Sequence, residues 1–259
     1  MTFDLHEAGP APAAPRSWKD LVPSSFRLAQ RAWRSWLRGE PELHLVPGLC
    51  DATRWSLDVG ANNGVYSWHM ARASAGVMAF EPQPRHVRFL RQALGAPVRV
   101  EQVALSDAAG EVRLRVPRAR MEDGRATIEP ANRLAGFDCD EIRVPCRRLD
   151  DYRLPAVGMI KIDVEGHELS VIEGARELLA RDRPNLLIEA EERHRPQAVA
   201  SLCARLRELG YGAYLLGPEG LRPTTPEAVA AAGQNNLVFL HASRAEAVLR
   251  RCRGRRAGR

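Results

Sequence analysis

The chain has 259 residues, 45% of them hydrophobic and 27% charged. This globular composition excludes a disordered or collagen-like protein and fits one large α/β domain. The net charge of +6 sits at the end: the last ten residues, RRCRGRRAGR, hold six Arg and no acid, which leaves residues 1–249 with 32 basic and 32 acidic residues.

A neutral body argues against a nucleic-acid protein, which spreads basic charge over a folded face. The tail, with its like charges, is expected to stay solvated and to be dispensable for the fold. No apolar run approaches the ~18 residues of a membrane span. The first residues carry neither a basic n-region nor an apolar h-region, so a cytoplasmic protein is expected. Cys50, Cys139, Cys146, Cys203 and Cys252 form no CxxC pair and are odd in number, which favours reduced thiols over a zinc module or a disulfide framework.

In chain order, residues 8–15 (AGPAPAAP) read as a Pro/Ala leader. A helix is expected over 24–39, capped by Ser24 or Ser25 and stopped by Gly39. Phe26, Ala29, Trp33 and Trp36 or Leu37 lie on one side of it, and Arg27, Arg31, Arg34 and Arg38 on another. A basic, Trp-bearing helix can lie on an anionic membrane. The plainer expectation is that its Trp side packs on the main domain or lids a pocket.

From Trp55 the pattern alternates. Strands are expected at 55–60, 77–82, 98–105, 158–166 and 185–191, with helices at 64–74, 84–94, 168–181 and 196–209. This predicts a doubly wound, Rossmann-like, mostly parallel sheet. Residues 111–117 and 141–149 read as a small hairpin-like β insertion, with 118–140 a loop able to shape a substrate site. Two last strands, 211–217 and 235–241, lack a convincing helix between them and suggest an antiparallel edge pair, seven strands in all. The expected units are residues 1–50 (leader and helix), 51–243 (the domain, with its insertion at about 107–150) and 244–259 (basic tail).

The first strand runs into Leu57-Asp58-Val59-Gly60-Ala61-Asn62-Asn63-Gly64 and then a helix, and the second ends at Phe80-Glu81-Pro82. A glycine turn at a helix N-terminus, with an acid at the tip of the second strand to bind ribose hydroxyls, implies a nucleoside-containing cofactor. A dinucleotide site wants a second and a third glycine where this chain has Asn62 and Val65. S-adenosyl-L-methionine brings adenosine without phosphate, and Asp58 can pair with its ammonium or order the turn, so it is favoured over NAD. In the fourth strand, Met159, Lys161, Asp163 and Glu165 share a face under period-two alternation. Lys161 reads as the cation of a structural salt bridge. Asp163, at the carboxyl end of a parallel strand, reads as functional. His167 is either structural or part of the site, and Glu189 and His194 face either acceptor or solvent.

Beyond these patterns, LDVGANNGVYS (57–67), FEPQP (80–84), VALSDAAG (103–110), CRRLDDY (146–152), IKIDVEGHELSVIEGA (160–175) and RPNLLIEAE (183–191) resemble the FkbM methyltransferases, a branch of the class I S-adenosylmethionine-dependent enzymes. The resemblance covers roughly residues 55–241. It implies methylation of oxygen on sugars, polyketides or other small acceptors, in natural-product or glycan modification. It assigns Asp58, Gly60, Asn62, Gly64 and Tyr66 or Ser67 to the methionine end of the cofactor and Glu81 to its ribose. It gives Gln102 and Ala104 to the adenine, and sets Asp163 beside the sulfonium.

The base that activates an acceptor hydroxyl is sought among Asp163, His167 and Glu189, and no metal is expected. Peripheral membrane contact fits the N-terminal helix, and no nucleic-acid partner is expected. Two other readings stay open: a nucleic-acid methyltransferase or binder that uses the Arg-rich tail, and a non-catalytic cofactor-binding protein on this fold.

Overall fold

The computed structural model describes residues 22–118, 125–132, 134, 137–194 and 197–254. The Pro/Ala leader and the last five residues lie outside them, as does part of the 118–140 loop. Apolar runs at the expected places form the parallel strands β1 (Trp55–Val59), β2 (Gly76–Phe80), β3 (Val98–Glu101), β7 (Val157–Ile162) and β8 (Asn185–Glu189). Between them run α3 (Val65–Met70), α4 (Pro84–Ala93), α5 (Glu168–Glu173), α6 (Arg176–Asp182) and, after β8, α7 (Ala198–Glu208). Every residue of β2 and β7 is buried, as a sheet covered on both faces requires.

The sheet has eight strands rather than seven, in the order β10 (Gly220–Pro223), β9 (Tyr211–Gly217), β11 (Asn236–His241), β8, β7, β1, β2, β3. At the β8 edge, β11 runs antiparallel to both β8 and β9. The extra strand, β10, folds back on β9 through the two-residue loop Pro218-Glu219. A helix missed by pattern reading, α8 (Pro226–Ala232), fills the last crossover. Its signals are ordinary ones: Thr225 accepts from the Ala228 N–H, Pro226 opens the helix, and Gly233 closes it in the left-handed region.

Two expected elements are broken. The stretch at 98–105 leaves the main sheet after Glu101, and β4 (Ala104–Leu105) pairs instead with β6 (Cys139–Arg147). With β5 (Gly110–Pro117), antiparallel to β6, it forms the three-stranded insertion sheet. The 168–181 helix is interrupted at Gly174, where a Cβ would sit 2.0 Å from the Ser106 carbonyl oxygen; backbone passes too close there for a side chain.

The expected boundaries at 50 and 243 do not separate packing units. Leu43, Leu45, Val46 and Leu49 are fully buried beneath the sheet with Met70, Met159 and Val238. The basic tail begins as α9 (Ala245–Cys252), whose Val248 and Cys252 enter the same core. The expectation of a solvated tail is therefore corrected for these residues: α9 has an apolar side that the sheet covers.

The helix α1 (Ser24–Arg38) forms where expected, but of the large residues on its expected apolar side only Trp36, half-buried against His44 and His69, packs on the domain. Leu28 and Ala32 are buried, while Phe26, Trp33 and Leu37 are 62%, 59% and 73% exposed. No helix among the described residues is long and apolar enough to cross a membrane. Ending the chain at Leu249 removes the buried Cys252 and the last turn of α9. This is expected to cost about 1–3 kcal/mol of stability, the usual range for losing a buried side chain; an unchanged midpoint in urea unfolding would refute the docking of α9.

Candidate active site

The chain enters the sheet at β1, builds outward through β2 and β3, then returns to β7 on the other side of β1. The carboxyl ends of β1 and β7 thus flank the point where the winding reverses, which is where open α/β sheets bind ligands. Two adjoining cavities open there, and Gly60, Asn62 and Asp163 line both.

The turn after β1 is tight for a stated reason. Gly60 has φ +79°, and a Cβ there would lie 1.9 Å from the Asp163 carbonyl oxygen. Asn62 also adopts a left-handed conformation, with φ +48°. Its N–H donates to Glu81 Oε2 at 2.7 Å, and the Gln83 N–H donates to Glu81 Oε1 at 2.8 Å. Burial pushes the Glu81 carboxyl up to about 7 even though both N–H groups favour its charged form.

The first cavity continues past Glu81 between apolar walls. Phe80, Val103, Ala104 and Leu105 form one side, and Leu114, Ala126 and Ile128 of the insertion close over it. The acid at its mouth and the flat apolar slot behind suit a ribose and a base. Ala104 lines this slot; Gln102 does not.

The second cavity is lined by Asp58, Val65, Tyr66, Lys161 and Asp163, and by Ser35, Gly39, Glu40 and Leu43 from the N-terminal segment. Ser67 and Gly64 lie outside both cavities. Ser67 is fully buried and donates to Asp58 Oδ2 at 2.5 Å. Gly64 faces Leu90, whose Cδ2 would be 2.6 Å from an added Cβ, so this glycine serves helix packing. Burial raises Asp58 to about 6, against the Ser67 hydroxyl and the Lys161 charge.

Lys161 is the electrostatic centre of this cavity. It is 1% exposed, and its Nζ makes no hydrogen bond among the described residues. It lies 3.6 Å from Asp163 Oδ2, 3.9 Å from Glu189 Oε2 and 5.1 Å from the centre of the Tyr66 ring. Burial acts to strip its proton, but Asp163, Glu189, Glu40 and Asp58 together outweigh burial and hold the ammonium above its usual range. The Tyr66 hydroxyl donates to Glu40 Oε2 at 2.7 Å, which closes the ring of charges from the N-terminal side.

Glu189 lines neither cavity; it stands behind Lys161, with its side chain 22% exposed, and accepts from Asn235 Nδ2 at 2.8 Å. Burial, reinforced by Asp163 and only partly offset by Lys161, pushes its carboxyl up to about 8.

His167 is not brought to these groups. Its Nε2 is 2.8 Å from Ser106 Oγ and its Nδ1 is 3.1 Å from Glu129 Oε2, so both ring nitrogens are engaged, and it lines neither cavity. It ties the insertion to the turn after β7. Glu165 does not continue the strand alternation either. With φ +55° it turns away, its carboxylate 3.0 Å from His194 Nε2, and its carbonyl accepts from Thr127 Oγ1 and Asn132 Nδ2. Burial, then Asp163, raises Glu165 to about 7, while burial and Arg193 lower His194 to about 4. Among the described residues, no three His, Cys, Asp or Glu side chains are grouped to hold a metal ion.

Ala126 and Ile128 come from the 118–140 loop expected to shape a site, whereas Glu40 and Leu114 join the cavities from segments that carry no such signal. Glu40 follows the Gly39 stop in a segment otherwise rich in Arg, the one local signal of its presence.

Residues 58–212 match the methyltransferase FkbM domain family. A curated relative, 2-O-methyltransferase NoeI of Sinorhizobium fredii, is 31% identical over an alignment of 144 residues that covers 49% of this chain and 59% of the relative's length. Among solved structures, the methyltransferase FkbM of Methylobacillus flagellatus is 18% identical, with a TM-score of 0.49 over 84% of this chain and 58% of that one. A TehB-like SAM-dependent methyltransferase of Corynebacterium glutamicum is 12% identical, with a TM-score of 0.43 over 84% of this chain and 97% of that one. The strand order, rather than these scores, carries the fold assignment. Since the family's domain covers more than half of the sequence, from the end of β1 through β7 and β8, the chain belongs to the FkbM methyltransferases.

Proposed function

We propose that the chain is an S-adenosylmethionine-dependent O-methyltransferase acting on a hydroxyl of a small molecule or glycan. The observation that carries this reading is the buried Lys161 ammonium, short of hydrogen-bond acceptors, set between Asp163 and Glu189 beside a cavity whose mouth holds Glu81. The name of the NoeI relative supports oxygen as the accepting atom.

The residues fit the cofactor. Glu81 keeps lone pairs beyond those its two backbone donors use, enough for a ribose diol. The apolar slot from Phe80 to Ile128 suits an adenine, and Asp58, Asn62 and Tyr66 face the methionine end. When bound, S-adenosylmethionine supplies a methyl group activated on a sulfonium. Glu189, whose raised carboxyl loses its own proton to solvent only near pH 8, then takes the proton from the acceptor hydroxyl as a carboxylate while the methyl leaves the sulfonium for the oxygen. Lys161, itself 1% exposed, donates to the oxygen as negative charge develops on it. Asp163, 34% exposed in its side chain and shared by both cavities, orients the acceptor.

Replacing Glu81 by Ala is expected to weaken binding of S-adenosylhomocysteine by about 1.5–3 kcal/mol, the range for hydrogen bonds to a charged group. Calorimetry that finds equal affinity in the variant, or comparable affinity for NAD in the wild type, would remove the cofactor assignment.

A carboxylate base with a raised pKa must lose its proton before it works. The rate of labelled methyl transfer to a panel of sugar and polyketide alcohols is therefore expected to rise with pH through about 8. Glu189→Gln should lower the rate on the order of 10²–10⁴-fold and flatten that rise. His167→Ala should keep it. A rise centred between about 6 and 7 that disappears in His167→Ala would return the base to His167. EDTA should leave the rate unchanged; loss with recovery in Mg²⁺ would overturn the metal-free reading.

A further inference from the structure

The N-terminal helix leaves a face uncovered that the active site does not use. Among the described residues, the exposed large hydrophobic side chains are Phe26, Trp33 and Leu37, all on α1. They follow one another at seven and four residues, about two turns and one turn of helix, and so form one ridge along its outer side. Leu28 and Ala32 point the other way, into the contacts of α1 with α3 and α4. The ridge is therefore surplus to the packing of the domain.

Beside Trp33 the apolar surface continues into a groove lined by Trp36, Pro47 and Trp68. On the other flank of the ridge stand Arg34 and Arg38, both exposed. No acidic residue occurs from Ser24 to Gly39.

We infer that α1 docks the enzyme on an anionic lipid bilayer, with Phe26, Trp33 and Leu37 in the headgroup and acyl boundary and Arg34 and Arg38 against the lipid phosphates. An interfacial helix combines a strongly apolar ridge, aromatic rings at headgroup depth and flanking basic residues, and α1 has all three. A second copy of the chain fits less well. Pairing two such helices would bring two acid-free Arg rows together, and repulsion would oppose the contact. An anionic surface meets both flanks of the ridge at once.

The test is co-sedimentation of the full chain with vesicles of phosphatidylcholine alone or mixed with phosphatidylglycerol, at low and high salt. The wild type should pellet with the anionic vesicles, remain in the supernatant with the neutral ones, and be partly released by salt. The triple variant Phe26→Ser, Trp33→Ser, Leu37→Ser and the pair Arg34→Glu, Arg38→Glu should each lose about tenfold or more in anionic-vesicle binding. Both should bind S-adenosylhomocysteine like the wild type, or, if that ligand binds neither, melt at the wild-type temperature, which separates docking from folding and from the cofactor assignment. Wild type that stays in solution with both vesicles would overturn the proposal. So would vesicle binding unchanged in both variants, which would assign it to the Arg-rich C-terminus. A wild-type dimer that becomes monomeric in the triple variant would give the ridge to a second copy instead.

Discussion

A lysine ammonium 1% exposed inside a parallel sheet is costly unless negative charge surrounds it. Lys161 meets this condition by drawing side chains from four separate parts of the chain. Asp58 comes from the neighbouring strand β1, Glu189 from the end of β8, Asp163 from two residues further along its own strand, and Glu40 from the segment after α1. Of these carboxylates, Glu189 and Asp58 are buried deeply enough that one shared cation does not offset the cost of their charge. Glu189 and Asp58 keep their protons to higher pH than free carboxyls do, and the lysine keeps its own. The cluster thus ties the three central strands β1, β7 and β8 to one another by charge.

The turns around this cluster are backbone arrangements that only some residues tolerate. Gly60 brings the glycine turn against the Asp163 carbonyl, and Gly174 brings α5 against the Ser106 carbonyl. Glu165 holds a positive φ because Thr127 and Asn132 of the insertion grip its carbonyl. Strain of this kind persists only where surrounding contacts over-determine it. The insertion supplies those contacts, and through Leu114, Ala126 and Ile128 it also roofs the apolar slot. His167, held between Ser106 and Glu129, is a fastening of the same roof.

The N-terminal segment links the site to the outer surface. Leu43, Leu45, Val46 and Leu49 lie in the core beneath the sheet, Glu40 holds Tyr66, and Ser35 and Gly39 form the cavity rim. The helix before them is held by the buried Leu28 and Ala32 and by Trp36, which packs on His44 and His69, while Phe26, Trp33 and Leu37 stay outside. One short stretch of chain thus serves core, cavity and surface.

Local pattern was enough for much of this. The alternation of apolar strands with amphipathic helices dictates a parallel doubly wound sheet, since each strand must be covered on both faces. The glycine turn with Glu81 at the next strand tip marks the ligand crevice by spacing alone. Period-two alternation placed Lys161 and Asp163 on one face. What local pattern lacks is a partner's position. A stripe of apolar residues on α1 does not say which third of the helix the domain will cover; Leu28, Ala32 and Trp36 meet the neighbouring elements, and Phe26, Trp33 and Leu37 do not. Gly64 and Ser67 sit inside a binding motif, yet one packs on Leu90 and the other serves Asp58, a division that only neighbours distant in sequence decide. The roles of His167, Glu40 and Cys252 likewise depend on Glu129, Tyr66 and the sheet core. Sequence by itself determined the order of elements and the crevice, because backbone periodicity and turn chemistry are local. Tertiary structure decided which side chains share that crevice, because burial and charge compensation are set by whatever the rest of the chain brings alongside.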